Sequence, residues 1–342
     1  MAKREFSVPG AYRYNESGPV VWIVSHVLRY KRTVGLWMST SIIANSFYGF
    51  AAVFTGRAFN DVLHSRDPRA QLTLAALMLL GSVACTGIFD LAARSLIQFL
   101  AGRLARDARD ELYSSLLGKS QTFHNRQRVG DIMARAANDV SLLSDLMVPG
   151  VDTIFDSSTA LIIPTVFIGF LDWHLLIVPL VFIAAHIVAL RHYMRQLAPV
   201  STLMRAAFGQ LNAELAETVS GIELVKATAQ EEQERAKFAR NAREYRDLYI
   251  RNGLIQGRYL PPLIYAIALA AGLLDGLALV SNGSLSVGGL ITFIALMGTF
   301  RFPVFVSIFA FSVLQMGIAG AERILELIRE ETDLDENESG YS

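Results

Sequence analysis

The 342-residue chain carries 31 basic and 31 acidic side chains, a formal net charge of zero, and a mean hydropathy of +0.37. With 52% hydrophobic and 18% charged residues, it falls well short of the roughly 25% charged that soluble domains carry, and it excludes disorder and nucleic-acid binding through a basic excess. A single cysteine, Cys85, rules out a disulfide framework and a multi-cysteine metal site; as a lone apolar filler it packs.

The composition points to an all-α membrane protein, and a helical span needs about 20 mostly apolar residues. Pro19 to Arg32 is too short; its apolar run ends in Arg-Tyr-Lys-Arg and suits an elbow helix lying at the inner interface. Six spans follow: Val34 to Gly56, Gln71 to about Asp90, Val148 to Phe170, Trp173 to Leu190, Tyr259 to Val280 and Gly288 to about Gly317. Only Leu171 and Asp172 separate the third from the fourth, which predicts a tight hairpin. Ser281 to Val287 reads as a short loop. Pro164, Pro179, Pro261, Pro262 and Pro303 fall inside or at the ends of spans, where membranes tolerate them.

The lysines and arginines set the expected orientation. Lys3, Arg4, Arg13, Arg29, Lys31 and Arg32 precede the first span. Arg103, Arg106, Arg109, Lys119, Arg126, Arg128 and Arg135 follow the second, and eleven more run from Arg191 to Arg258. The opposite side has Arg57, Arg66 and Arg69. Both termini and both long connections are therefore expected in the cytoplasm of a cell-membrane protein. No small-residue cleavage site precedes the first span, so no signal peptide is expected.

Connections this long need a reason. Met204, Phe208, Leu211 and Leu215 form one apolar stripe, and Phe238, Ala242, Tyr245 and Tyr249 another, both at helical spacing. A helix from Gln71 to about Ser120 would extend on the order of 75 Å, far more than the roughly 30 Å of hydrocarbon. Helical hairpins should therefore project from the bilayer and meet something at their tips.

The tips carry motifs. Ser120 to Asp139 (SQTFHNRQRVGDIMARAAND) resembles the first coupling segment of the transmembrane domains of ABC exporters, and Glu217 to Glu232 (ETVSGIELVKATAQEE) resembles the second. Leu285 to Leu290 (LSVGGL) is similar to the family's opening of the last span, and Gly320 to Leu327 (GAERILEL) to its exit toward an ATP-binding domain. His124 and Asn125 depart from the family, which often has a second aromatic and an acid there.

The resemblance implies an ABC exporter fold: a segment over residues 1–33, a six-helix transmembrane domain over 34–318, and a linker over 319–342. It implies a dimer with a second such domain, homomeric or heteromeric, and ATPase domains that hold Mg-ATP. The implied coupling residues are Phe123, Asn125, Arg126, Gly130 and Asp131 in the first tip, and Glu223, Lys226 and Gln230 in the second. This chain itself shows no phosphate loop: Gly118-Lys119-Ser120 lacks the upstream glycine, because Tyr113 stands there. No Leu-Ser-Gly-Gly-Gln signature follows. The chain alone is therefore expected not to hydrolyse ATP, and its ATPase to be either a continuation past Ser342 or a separate subunit.

Within the spans, Asp156, His186 and Arg301 lie at a similar depth, on the order of 20 Å from the outer edge. Ionisable groups there usually face the bundle interior. They could form a polar layer lining a translocation cavity, with an Arg301–Asp156 pair. Alternatively the pair could only join two helices, or no contact could form, because depth fixes neither rotation nor neighbour. Asn45 could face the same cavity or bond a neighbouring helix. Asp90 and Arg94 read as a local i,i+4 pair, and Asp275 as interfacial. Phe300, Phe302, Phe305, Phe309 and Phe311 read as packing before substrate wall.

An importer on the same fold and a catalytically inert regulatory half of a heteromeric assembly are the alternatives. An ion channel is disfavoured, because the sequence shows neither a selectivity-filter loop between the last two spans nor an arginine-repeat sensor helix. The histidines show no zinc-protease spacing. The acidic stretch after Arg329 reads as a solvated linker.

Overall fold

A computed structural model describes residues 12–64 and 68–330. Lys3, Arg4, Arg66 and the acidic stretch beyond Glu330, all used above, lie outside the described residues. The chain divides into two units: residues 1–176 with 272–342, and residues 177–271.

The first unit opens with α1 (Pro19–Arg29), α2 (Lys31–His64) and α3 (Pro68–Leu117). Short pieces follow: α4 (Gln121–Arg126), α5 (Val129–Ala134), a π-helical turn over Arg135–Asp139, α6 (Val140–Asp145) and a second π-helical turn over Leu146–Val151. Then comes α7 (Asp152–Leu171). Val148 leaves helical geometry at φ −132° and ψ 109°, because the ring of Pro149 disfavours the α conformation in the residue before it. The second unit holds α8 (Ile177–Ser220), α9 (Ile222–Ala227) and α10 (Glu231–Gly257). α11 (Pro261–Ser281) carries the chain back into the first unit, which ends with α12 (Val287–Gly298) and α13 (Arg301–Arg329). No strand occurs among the described residues.

The sequence placed most of these ends within a few residues. The second expected helix is α3, 50 residues and about 75 Å long. The break between the third and fourth expected spans falls at Asp172, whose carboxylate accepts from the His174 N–H at 2.8 Å. The last expected span, however, is not one helix. Thr299 and Phe300 donate to Leu296 O and Met297 O in a tight turn, and Pro303 has no N–H to continue the ladder. α12 and α13 are separate for that reason.

Among the described residues, five stretches are long and apolar enough to cross a membrane: Arg69–Leu117, Val129–Leu171, His174–Ser220, Glu231–Ser281 and Val287–Arg329. The first expected span lies in α2, which has 34 residues but is diluted by hydroxyls and by Asn45. Those hydroxyls are satisfied within the helix: Ser39 donates to Gly35 O at 2.7 Å, Thr40 to Leu36 O at 2.8 Å and Ser46 to Ile42 O at 2.8 Å.

Two kinds of packing hold the first unit. A buried apolar cluster joins α1, α3, α6 and α13 through Trp22, Ile97, Leu104, Leu112, Leu143, Ile324 and Ile328. Between α2 and α12 the contact is through small residues instead. A side chain at Gly56 would run into Thr292 and the Gly288 carbonyl, and one at Gly288 into the Gly56 carbonyl and Asn60. Asn60 bridges the site, accepting from the Gly288 N–H at 2.9 Å and donating to Ser286 Oγ at 2.9 Å.

Candidate functional site

Helices of the first unit line an open cavity of about 830 Å³. α2 contributes Asn45 and Tyr48, and α3 contributes Thr86, Asp90 and Arg94. α7 adds Asp156, and α13 adds Arg301, Phe302, Phe305 and Phe309. The wall is mostly apolar with a few charged groups, the usual make-up of a small-molecule site.

The expected Arg301–Asp156 ion pair is not formed. Both residues line the cavity, yet Asp156 accepts from Asn45 Nδ2 at 2.9 Å while the Arg301 guanidinium lies over the Phe305 ring, 6.0 Å from its centre. Equal depth fixed the level of the two side chains but not the faces they occupy. Asn45 also donates to Thr159 Oγ1 at 3.2 Å and to Ser41 O at 3.1 Å, which ties α2 to α7. His186 belongs to the second unit, where it is buried on α8 beside Phe182, ring centres 5.7 Å apart. Sequence reasoning confined Asp90 and Arg94 to a local pair. They do pair, at 2.8 Å, and they also line the cavity, which i,i+4 spacing alone could not reveal.

Ser120 to Asp139, the stretch that resembles a first coupling segment, is built around a capped turn. Ser120 Oγ accepts from the Phe123 N–H at 3.4 Å and starts α4. Phe123 is only 5% exposed and packs into the apolar cluster. It therefore supports the segment from within instead of presenting a contact. Asn125 is exposed and accepts from Gln121 Nε2 at 3.0 Å. Arg126 and Gly130 are exposed. Asp131 pairs with Arg135 at 3.6 Å.

The segment is tied to the end of α13. Lys119 Nζ donates to Ile328 O at 3.1 Å and to Glu330 O. Gln127 Nε2 donates to both oxygens of the Glu330 carboxylate at 3.2 Å. Arg323 grips Asp139 through two bonds of 3.1 and 2.6 Å, and the Asp139 contact raises the Arg323 pKa further although burial opposes it. Arg135 donates to Arg323 O at 2.8 Å.

The second segment lies at the turn of the α8–α10 hairpin. Glu223 stands exposed in the first turn of α9, where the helix dipole favours an acid. Lys226 pairs with Glu231 at 3.0 Å and holds that carboxyl below its usual range, together with a backbone hydrogen bond. Ala229 takes a left-handed φ of 49°, a strained choice for a residue with a Cβ, and Gln230 is exposed beside it. The two apolar stripes touch where Phe208 meets Tyr245, ring centres 5.3 Å apart. Polar rungs share the seam: Ser201 donates to Asn252 at 2.9 Å, and buried Glu214 accepts from Asn241.

A third constellation had no sequence signal. Asp107 of α3 is 4% exposed and accepts from Tyr14, Arg29, Tyr30 and Arg106. Burial pushes its pKa up, but the Tyr30 and Arg106 bonds and the two guanidinium charges outweigh this and leave it below the ordinary value. One turn on, Glu111 accepts from Trp22 Nε1 at 2.9 Å and meets His26 at 3.2 Å. These contacts dock α1 on α3. Among the described residues, no group of His, Cys, Asp and Glu side chains is arranged to hold a metal ion.

Residues 34–304 match the ABC transporter transmembrane region. The chain is 27% identical over 235 residues to the ATP-dependent lipid A-core flippase of Syntrophus aciditrophicus, covering 68% of this chain and 39% of that protein. It is 29% identical over 234 residues to the multidrug resistance-like ATP-binding protein MdlA of Escherichia coli, covering 67% and 39%. Over 237 residues it is 27% identical to the probable multidrug resistance ABC transporter ATP-binding/permease protein YheI of Bacillus subtilis, covering 68% and 40%. The chain thus spans about two fifths of the length of these relatives. With long apolar helices, no strand among the described residues and a family match over most of its length, this multi-pass membrane chain belongs to the ABC transporter transmembrane region family.

Proposed function

We propose that this chain forms the membrane pathway of an ATP-driven exporter and receives its power stroke at two cytoplasmic tips. The observation that carries the reading is the family match over residues 34–304, which contains an amphipathic cavity of about 830 Å³. In this reading α2 supplies the first of six spans, and both termini face the cytoplasm with the arginine-rich connections. Two such chains enclose the pathway, each served by an ATPase domain that holds Mg-ATP. Closure of the ATPase pair draws the tips together, and stiff helices carry that motion to the cavity. Asn125, Arg126, Gly130 and Asp131 offer the first tip's exposed surface, with Phe123 as its internal prop; Glu223, Lys226 and Gln230 offer the second's. Arg301, Asp156 and Asn45 give the cavity its polar end, and Phe302, Phe305 and Phe309 its apolar wall.

The test is reconstitution. Proteoliposomes carrying the chain with its ATPase domains should show ATP-dependent movement of a fluorescent amphiphile, and the chain alone should show no ATP hydrolysis above background. Robust hydrolysis by the chain alone, or transport indifferent to ATP, overturns the proposal.

A further inference from the structure

The chain's Gly118-Lys119-Ser120 is no phosphate loop, yet its lysine is among the most buried charged groups described, 3% exposed. A buried ammonium needs partners that replace its water. Lys119 finds them at the end of α13, where Ile328 O accepts at 3.1 Å and Glu330 O accepts as well. The last carbonyls of a helix lack partners within the helix, and a cation there also suits the dipole. Ser115 adds a bond to Ile328 O at 3.4 Å, and the Phe123 ring lies 5.5 Å from the ammonium.

From this geometry we infer that Lys119 is a positioning residue, which fastens the first coupling segment to the last turn of α13 so that the two move as one body. The inference rests on the transporter reading above. α13 is 29 residues long, about 44 Å, and its opposite end carries Arg301, Phe302, Phe305 and Phe309 of the cavity wall. A displacement received at the tip therefore reaches the cavity along α13 directly, in addition to any path through α3. Asp139–Arg323 makes a second fastening about one and a half turns earlier on α13. Without Lys119 the tip can yield while the cavity end of α13 stays behind. ATP hydrolysis then continues with less movement of the wall.

The experiment uses the assembled transporter with its ATPase domains in lipid nanodiscs, in a C85S background with a spin label at F309C. The distance between labels on the two copies is measured with and without ATP–vanadate trapping, alongside hydrolysis. K119M is expected to keep hydrolysis within about two-fold while losing at least half of the distance change, and K119R to restore it. A full distance change in K119M overturns the inference. A second readout needs no transport: backbone hydrogen exchange in the final turn of α13, in the chain alone, should rise at least ten-fold in K119M and recover in K119R. Unchanged exchange removes the fastening itself. If the wild type shows no ATP-driven change at position 309, the transporter reading fails and takes the coupling role with it, while the exchange result still decides the fastening. Should K119M fail to fold, R323M carries the same expectations at the second fastening.

Discussion

Replacing Asp107 with alanine should release α1 from α3. The carboxylate accepts from Tyr30 at 2.7 Å, Tyr14 at 3.3 Å and Arg29 at 3.1 Å. Its 2.6 Å partner Arg106 is the preceding residue on the same helix, so that bond ties nothing to α1, although Arg106 itself donates to Tyr30 Oη at 3.1 Å. A hydrogen bond to a charged group contributes about 1.5–3 kcal/mol, and the short Tyr30 bond is the candidate for that full value. The Arg29 side chain is 37% exposed, so screening holds its pair to about 0–1 kcal/mol, and Tyr14 adds a long bond of the same order. The tether therefore amounts to about 1.5–5 kcal/mol, or about 10- to 4000-fold in the opening equilibrium. Hydrogen exchange of the α1 amides reads this directly. Asp107→Ala should accelerate exchange across residues 19–29 by that factor, and Asp107→Asn, which keeps an acceptor for Tyr30, by less. Unaltered exchange in Asp107→Ala would mean that the packing of Trp22 and Ile23 and the Glu111 contacts hold α1 without it, and the reasoning would be refuted.

The same anchor should depend on pH. The folded Asp107 pKa is depressed, so its contribution is present above the unfolded value of about 3.9 and is lost as pH falls through the folded value. Burial raises the Tyr14 pKa to about 12; its contribution is full below the unfolded value of about 10 and is lost as pH rises through the folded one. Protection of α1 should thus decline at both extremes, and a profile flat into strong acid would count against the Asp107 account. Gly288→Ala places a methyl against the Gly56 carbonyl and Asn60; a backbone contact cannot swing aside, so the cost is about 1–3 kcal/mol, visible as a lowered melting midpoint in detergent. Glu214→Leu strands the Asn241 amide in the α8–α10 seam and should cost about 1–3 kcal/mol, read as faster proteolysis of that hairpin; equal cleavage rates would assign the seam's stability to Phe208 and Tyr245.

What could be read in the sequence is what depends on local pattern. The length of α3, the helix break at Asp172 and the short helix from Pro19 follow from hydropathy runs, a two-residue gap and an Arg-rich boundary. Breaks that depend on a single proline are harder: Pro303 looks like a tolerated membrane proline until the ladder around it is traced, and Pro149 draws no attention in the sequence. The cavity residues show where pattern stops. Arg301 and Asp156 were found by depth, and both do line the cavity, but their pairing depended on helix rotation, which depth does not encode. Lys119 stands out in the sequence only as one of the basic residues after the second span and as part of a false phosphate loop. Asp139 and Arg323 each sat in a quoted motif, 184 positions apart, and no spacing rule joins residues so distant. For Asp107 and Glu111, which take side chains from α1, the sequence carries no sign at all.

The two packing modes of the first unit suggest why motion can pass through it without dissolving it. Lipid tails are as apolar as leucine, so helices within a bilayer gain little from burying apolar side chains and associate through small residues and hydrogen bonds. The Gly56–Gly288 approach with its Asn60 bridge is such a contact. The end of the unit that carries residues 97–147 and 321–328 is held instead by Leu104, Leu112, Leu143, Ile324 and Ile328, all essentially inaccessible. Water drives that association, and a cavity there is expensive: Ile324→Ala should cost about 2–5 kcal/mol. Because Ile324 lies on α13 between Arg323 and the Lys119 cap, the loss should loosen the coupling segment before the bilayer contacts. Exchange should rise first in α4 and the last turn of α13, with the α2–α12 contact still protected. Simultaneous loss at both ends would mean that the unit opens as a single cooperative body, and that the glycine contact has no independent stability with which to remain while the tip moves.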